Sequence, residues 1–526
     1  MPKINSSSLI IFFLLLLSCK QSPPHHEAAP PAGFSLEEID IAGIQEGYRN
    51  GMFTVKEVVQ YYLDRIEAID KNGYQLASIL LVNDEALAIA GALDEEMAQG
   101  KMRGPLHGIP VVLKDNIDTY DMATTAGSRA LKDSYPPADS PVARQLREAG
   151  AVILGKANLS EWANFRGQMS SSGWSGMGGQ TRNPYDTTRN PCGSSSGSAV
   201  AVAANLTMLA IGTETNGSIV CPSNNNGIVG IKPTVGLVSR TGIIPISYTQ
   251  DTAGPMARTV RDAALCLGAL VAVDSADGKM LMAGRKAYTD YTQFLHDDGL
   301  NGKRIGLYKA PYGRNFKVDA IMDQAVAWIR SQGAEVVEVE RIGTDEVGRW
   351  SLEVMLFEYK EGLNKYFQSL GPGAKIKSLE DLIAFNKEDA VELKHYNQRY
   401  LEMALEKAGL DSKEYREIRD KMLRGSRQEG IDGVMDQYAL DAIIAPTGGP
   451  AWKTDWINGD SFHVSSSSPA ARSGYPNITV PMGFIEGLPV GISFFGRAWS
   501  EPVLLAMAYA YERGTRHRKA PRLAVP

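Results

Sequence analysis

Apolar positions along the chain follow two rhythms. Val55, Val58, Val59, Tyr62, Ile66 and Ile69 recur at three- and four-residue intervals and predict a helix with one buried stripe. Thr54-Val-Lys-Glu57 forms a capping box in front of that stripe, and Ser35-Leu-Glu-Glu38 predicts an earlier helix start of the same kind. Elsewhere, short apolar runs bounded by turn formers predict buried strands. These are Leu76–Val82, Ile109–Leu113 ending directly in Lys114, Ala151–Leu154, Gly227–Ile231, Ala442–Pro446, Asn477–Pro481 and Leu488–Ser493. An alanine-rich helix runs to about Gln99, Gly254–Val260 leads into a helix through Leu270, and a terminal helix starts at Ser500. Lys303–Tyr308, a helix over Val318–Gln332 and Ala334–Glu340 read as a β-α-β unit. Residues 345–430 are charged, helical and poor in turns, and read as a surface insertion or lid. Strands alternate with helices almost throughout, which predicts a single large α/β domain.

Composition narrows the function classes. A chain of 526 residues with 44% hydrophobic content can bury a large core. A net charge of −6 with no basic block argues against a nucleic-acid partner. None of the seven histidines lies in a His-x-x-x-His pattern and no Cys-x-x-Cys occurs, so no metal site is expected. Four cysteines, at 19, 192, 221 and 266, are too few for a disulfide scaffold. Cys192 and Cys221 flank two serine loops and can be neighbours, but small buried hydrophobes are the expectation for both.

The N-terminus carries its own signal. Lys3 precedes the apolar run Leu9–Leu17, too short to span a bilayer and suited to a signal peptide. Leu16-Leu-Ser-Cys19 resembles a lipobox, which makes residues 1–18 a lipoprotein-type signal peptide and Cys19 the lipidated first residue. The proline-rich residues 19–34 read as a flexible linker. The expectation is a bacterial envelope lipoprotein, on the periplasmic side or the cell surface, touching the membrane only through its lipid.

Candidate chemistry gathers on two glycine-and-serine loops, Gly193–Ser198 and Thr215–Ser218, joined by the small apolar run Ala199–Ile211. Exposed hydroxyls on two such loops, tied by a buried segment, point to a reactive site. Gly193-Ser-Ser-Ser-Gly197 satisfies Gly-x-Ser-x-Gly, but a nucleophile elbow needs an apolar strand before it. Arg182–Cys192 holds two prolines and no strand. The loop also lacks the Gly-Lys-Ser/Thr ending of a phosphate loop, so no nucleotide cofactor is expected. A serine hydroxyl needs a base, and Lys114 at its strand end is a candidate if burial keeps it neutral. The residues alone also suit a charged Lys114 paired with Asp115, and favour that pairing.

Five ordered segments resemble the amidase signature family from about residue 35 onward. They are Gly104-Pro-Leu-His-Gly-Ile-Pro-Val-Val-Leu-Lys-Asp-Asn116, Gly193–Ala199, Gly212-Thr-Glu-Thr-Asn-Gly-Ser218, Gly254–Val260 and Gly487-Leu-Pro-Val-Gly-Ile492. The resemblance implies a central mixed β-sheet covered by helices on both faces, over residues 35–526, and no cofactor or metal. It implies a Ser-cisSer-Lys triad with Lys114 as base, Ser194 as the bridging serine and Ser218 as nucleophile. The backbone N–H groups of Thr215, Asn216, Gly217 and Ser218 would form the oxyanion hole. Where many members carry arginine two residues after the nucleophile, this chain has Val220, which argues for a neutral substrate and makes Val220 a candidate pocket residue. With Val220-Cys-Pro222, the altered loops are similar to those of bacterial peptide amidases. The partner so implied is a small amide or an amidated peptide. A broader aryl or fatty-acyl amide hydrolase, or a binding lipoprotein on an inactive scaffold, are the alternatives.

Overall fold

The computed structural model describes residues 35–523; the expected signal peptide, Cys19 and linker lie outside them. The strands in chain order are β1 (Ile79–Val82), β2 (Pro110–Lys114), β3 (Val152–Ala157), β4 (Trp174–Ser175), β5 (Gly179–Gln180) and β6 (Leu209–Glu214). They continue as β7 (Val229–Lys232), β8 (Thr252–Ala257), β9 (Arg304–Tyr308), β10 (Glu335–Val339), β11 (Ala442–Pro446), β12 (Asn477–Ile485) and β13 (Leu488–Phe495). Eleven of them make one sheet in the order β1-β3-β2-β6-β8-β7-β12-β13-β11-β9-β10, and β4 pairs only with β5. β3, β2 and β6 run parallel, as do β11, β9 and β10; the remaining pairs are antiparallel. The sheet is mixed, as the resemblance implied, and helices flank it. Residues on β2, β3, β7 and β11 are buried throughout, which is why those runs read as continuous apolar stretches and not as alternation.

Two strands were invisible to the periodicity. The run Ala199–Ile211 is divided: a helix over Ser196–Ala203 stops, Asn205 turns through φ 55°, and β6 begins at Leu209. Asparagine tolerates that left-handed conformation, so it ends the helix where composition alone shows only small apolar residues. β8 contains Gly254-Pro255, which reads as a break, yet it lies between β6 and β7. A Cβ at Gly254 would stand 2.0 Å from the Ile231 carbonyl oxygen, so glycine is what lets β8 approach.

The helix ends show which caps were read correctly. Thr54 and Glu57 form the expected reciprocal box at the helix Val55–Arg65. Ser35–Glu38 opens none: Glu38 has φ 57°, and the first described helix, Ile41–Arg49, is capped by the Asp40 carboxylate on Gly43 N–H. Residues 345–430 are helical but are not a surface addition. Leu356, Tyr359, Leu363, Phe367, Leu379 and Leu401 are buried in one core cluster with Trp162, Phe165, Ile244 and Ile246.

Candidate functional site

β2 and β6 are parallel neighbours, with Leu113 opposite Ile211. Their carboxyl ends therefore bring Lys114 beside Thr213, the edge of a parallel sheet where ligands usually bind. Lys114 is fully buried. Its Nζ lies 2.7 Å from Ser194 Oγ, 2.9 Å from Thr213 Oγ1 and 3.1 Å from the Thr213 carbonyl oxygen. All three partners are neutral. Burial pulls the lysine down to about 7, against the opposing charges of Asp251 and Glu214. A neutral amine has two N–H bonds and one lone pair. Thr213 can take both N–H bonds, which leaves the lone pair aimed at the Ser194 hydroxyl.

The pairing of Lys114 with Asp115 does not form. Successive strand residues point to opposite sides, and Asp115 instead accepts from Thr125 and Gly127 N–H at 3.3 and 3.4 Å and faces the charge of Lys156. Burial raises Asp115 to about 6.

Ser194 follows a cis peptide bond at Gly193 and is fully buried. Its carbonyl accepts from Ser160 N–H at 3.0 Å, and Ser195 N–H donates to the Ser218 carbonyl at 3.1 Å. The loop carrying Ser194 is thus bonded directly to the loop carrying Ser218. The two loops are also joined covalently: Cys192 and Cys221 form a disulfide with Cα atoms 6.0 Å apart. This corrects the expectation of two small buried hydrophobes. The folded chain sets residues 29 apart at bridging distance, which composition cannot reveal. Close packing shapes the same region: a Cβ at Gly197 would stand 2.2 Å from the Ser78 carbonyl oxygen.

Carboxylates hold both ends of the 214–222 segment. Glu214 accepts from Ile219 and Val220 N–H at 2.8 and 3.1 Å, anchoring the start of the helix Val220–Asn225. Asp251 accepts from Thr215 Oγ1 at 2.6 Å and from Ile246 and Ser247 N–H at 2.8 Å. Between these anchors, the N–H groups of Asn216, Gly217 and Ser218 donate to no protein acceptor among the described residues. Three adjacent unspent donors on a fixed loop can stabilise a developing negative oxygen.

Thr215, Asn216, Gly217 and Ser218 line a cleft of about 590 Å³, with Gly193 and both bridged cysteines on its wall. Val220 is fully buried and is not among the lining residues, so it does not serve as the pocket residue expected from sequence. Thr213, Asn116, Glu214 and Asp251 were not singled out from sequence. Thr213 and Glu214 stand within the Gly212–Ser218 motif, and Asn116, whose Nδ2 donates to Thr213 Oγ1 at 3.0 Å, closes the motif that contains Lys114. Asp251 carried no signal, since its role depends on β8 lying beside β6.

Comparison with known proteins supplies the lineage. The family model described as Amidase matches residues 57–505. An Arabidopsis thaliana protein named as a probable amidase is 40% identical over 501 residues, spanning 93% of this chain and 92% of its own. A glutamyl-tRNA(Gln) amidotransferase subunit of Alkaliphilus metalliredigens is 32% identical over 495 residues, spanning 91% and 96%. Among solved structures, the native peptide amidase from Stenotrophomonas maltophilia superposes with a TM-score of 0.89 at 50% identity, covering 93% of this chain and 99% of its own.

Proposed function

Because the chain belongs to the amidase family and is an amide hydrolase, we propose that it is a serine amidohydrolase that converts the C-terminal carboxamide of peptides to acid and ammonia. The observation that carries the mechanism is the buried Lys114 amine 2.7 Å from Ser194 Oγ. Lys114 draws the proton of Ser194, Ser194 draws that of Ser218, and Ser218 Oγ attacks the carboxamide carbon. The N–H groups of Thr215, Asn216, Gly217 and Ser218 hold the oxyanion. The carbon–nitrogen bond breaks as the proton returns through Ser194 to the leaving nitrogen, releasing ammonia. Water, deprotonated through the same relay, then cleaves the acyl-Ser218 ester.

The cleft supports a neutral substrate. Among the described residues lining it, Asp460 is the only charged one, so none of them is a cation that could hold a carboxylate. The likeness to a peptide amidase at 50% identity supports a peptide over other carboxamides. Incubation with an N-acetylated dipeptide amide should release one equivalent of ammonia and shift the peptide mass by one dalton. Faster turnover of an acyl anilide than of any amidated peptide would instead favour the broader amide-hydrolase reading.

The Lys114 base fixes the pH dependence. The active form is the neutral amine, and with a pKa of about 7 it dominates above neutrality. As pH falls the amine gains its proton, and kcat/KM should fall tenfold per unit, to about one hundredth of its plateau at pH 5. A profile flat from pH 5 to 9 would exclude a lysine base. Lys114→Arg should be inactive at every pH, because a guanidinium does not deprotonate in this range.

We also place the enzyme outside the cytoplasm, as a lipoprotein anchored at Cys19. The Cys192–Cys221 bridge supports this, since disulfides form and persist in oxidising compartments.

A further inference from the structure

The cleft has an apolar outer wall that the reaction does not use. Met169 and Phe462 line it and are 58% and 44% exposed, although such side chains are ordinarily covered. They come from different parts of the chain and are held in place from behind. The Phe462 ring packs edge-on against Trp452, centroids 5.8 Å apart. A Cβ at Gly459 would stand 3.1 Å from the Met169 carbonyl oxygen, so the 455–460 turn lies directly on the Met169 backbone.

Asp460 pins this wall. It accepts from Trp452 Nε1 at 3.2 Å, from Ser172 N–H at 3.1 Å, from Ser172 Oγ, and from Asn190 Nδ2 at 3.3 Å. Asn190 Oδ1 in turn accepts from Cys192 N–H at 2.8 Å, so the wall is referenced to the bridged loop that carries Ser194. With these donors satisfying it, Asp460 is occupied with structure, and the cleft offers a substrate side chain no charged group to pair with.

We propose that Met169, Trp452 and Phe462 form the subsite for the side chain of the residue bearing the scissile carboxamide, and that this subsite selects large aliphatic or aromatic residues over glycine and over charged ones. The inference rests on the peptide-deamidating reading. The occupant is the substrate because the wall is continuous with the cleft that Ser218 lines. Apolar area left exposed in the cleft that Ser218 lines is covered when an apolar side chain enters, and an apolar pocket discriminates by size about 10- to 200-fold per missing methylene. A charged side chain would lose its hydration there without gaining a partner.

The test compares kcat/KM for N-acetyl-glycyl peptide amides ending in Phe, Leu, Gly and Asp, using wild type, Met169→Ser, Phe462→Ser and the conservative Phe462→Leu. Wild type should prefer Phe and Leu over Gly by about tenfold or more. Each serine variant should cut the Phe-to-Gly ratio several-fold, and Phe462→Leu should keep most of it. Equal loss on all substrates, or an unchanged ratio, would overturn the subsite. Binding to phosphatidylethanolamine–phosphatidylglycerol vesicles that is weakened by the serine variants while the ratio stays intact would also overturn it, and would make the wall a membrane-facing surface. Failure to turn over any amidated peptide sinks the deamidating reading and the subsite together. Turnover that ignores the side chain sinks the subsite alone.

Discussion

Ser218→Ala should lower kcat by at least about 10⁴-fold on amidated peptides while leaving KM and thermal stability near wild type. The size follows from what is removed. In the proposed mechanism, removing Ser218 Oγ leaves no nucleophile to form the ester, and the oxyanion donors and the cleft have only a water to orient. The stability half of the expectation follows from position: Ser218 is partly exposed, and the loop bond it makes in the structure is through its carbonyl, which alanine retains. Ser194→Ala should fall by a comparable factor for a different reason, because it removes the hydroxyl that meets Lys114 and so cuts the proposed relay to Ser218. Combining the two should cost little more than either alone, as expected for groups that act as a unit. A fluorophosphonate probe provides an independent readout, labelling wild type but not Ser218→Ala. Turnover or labelling by that variant at the wild-type rate would remove Ser218 from the mechanism.

The largest expected stability effect lies at Arg166. This guanidinium is fully buried between two fully buried carboxylates, 2.7 Å from Glu161 Oε1 and 3.1 Å from Glu392 Oε2. The Tyr396 ring lies 4.2 Å and the Trp174 ring 5.5 Å from its central carbon. Glu161 precedes the cleft-lining residues 163–165, whereas Glu392 and Tyr396 belong to the helical segment, so the cation fastens one to the other. Arg166→Leu leaves two buried carboxylates facing each other and should cost about 3–5 kcal/mol in urea unfolding. The pH dependence identifies the cause. Burial already holds Glu161 well above the usual carboxylate range, and Arg166 opposes that shift. Without the cation the folded-state value of Glu161 rises further, so the folded protein binds more protons than the unfolded one and stability falls as pH rises. The deficit should therefore be larger at pH 8 than at pH 5. A loss below about 1 kcal/mol, or one equal at both pH values, would mean that the cation is not holding this pair together.

How much of this was legible in the sequence varied with the kind of information needed. The β-α-β unit appeared at its expected place, Arg304–Tyr308, Phe316–Ser331 and Glu335–Val339, because its strands and helix each show their own period. β6 and β8, the strands that flank the chemistry, did not: one is hidden in an apolar run shared with a helix, and the other is broken by Gly-Pro. Lys114 illustrates the limit most directly. Its neighbour Asp115 made an ion pair the natural local reading, and strand alternation defeats that reading only once the strand is known to be buried on both faces. The resemblance identified Lys114 and Ser194 as partners, and the structure brings them together. Ser218 was identified by the same means and lines the cleft whose wall includes Gly193, the residue before Ser194. The disulfide and Asp251 depend on contacts between distant segments: the sequence showed only that Cys192 and Cys221 flank the serine loops, and showed nothing of Asp251.

Glu358 gives the helical segment a share in the site's rigidity. On the buried face of the helix Glu346–Ser369, it accepts from Tyr415 hydroxyl at 2.6 Å, from Thr249 N–H at 3.0 Å, and from the hydroxyls of Ser247 and Thr249. Ser247 N–H also donates to Asp251, which holds Thr215. The outer helices therefore cannot be exchanged between relatives as a detachable cassette. A chimera that imports this segment without a carboxylate at 358, or places it over a host lacking hydroxyls at 247 and 249, would unseat the Thr215–Ser218 loop it was meant only to cover.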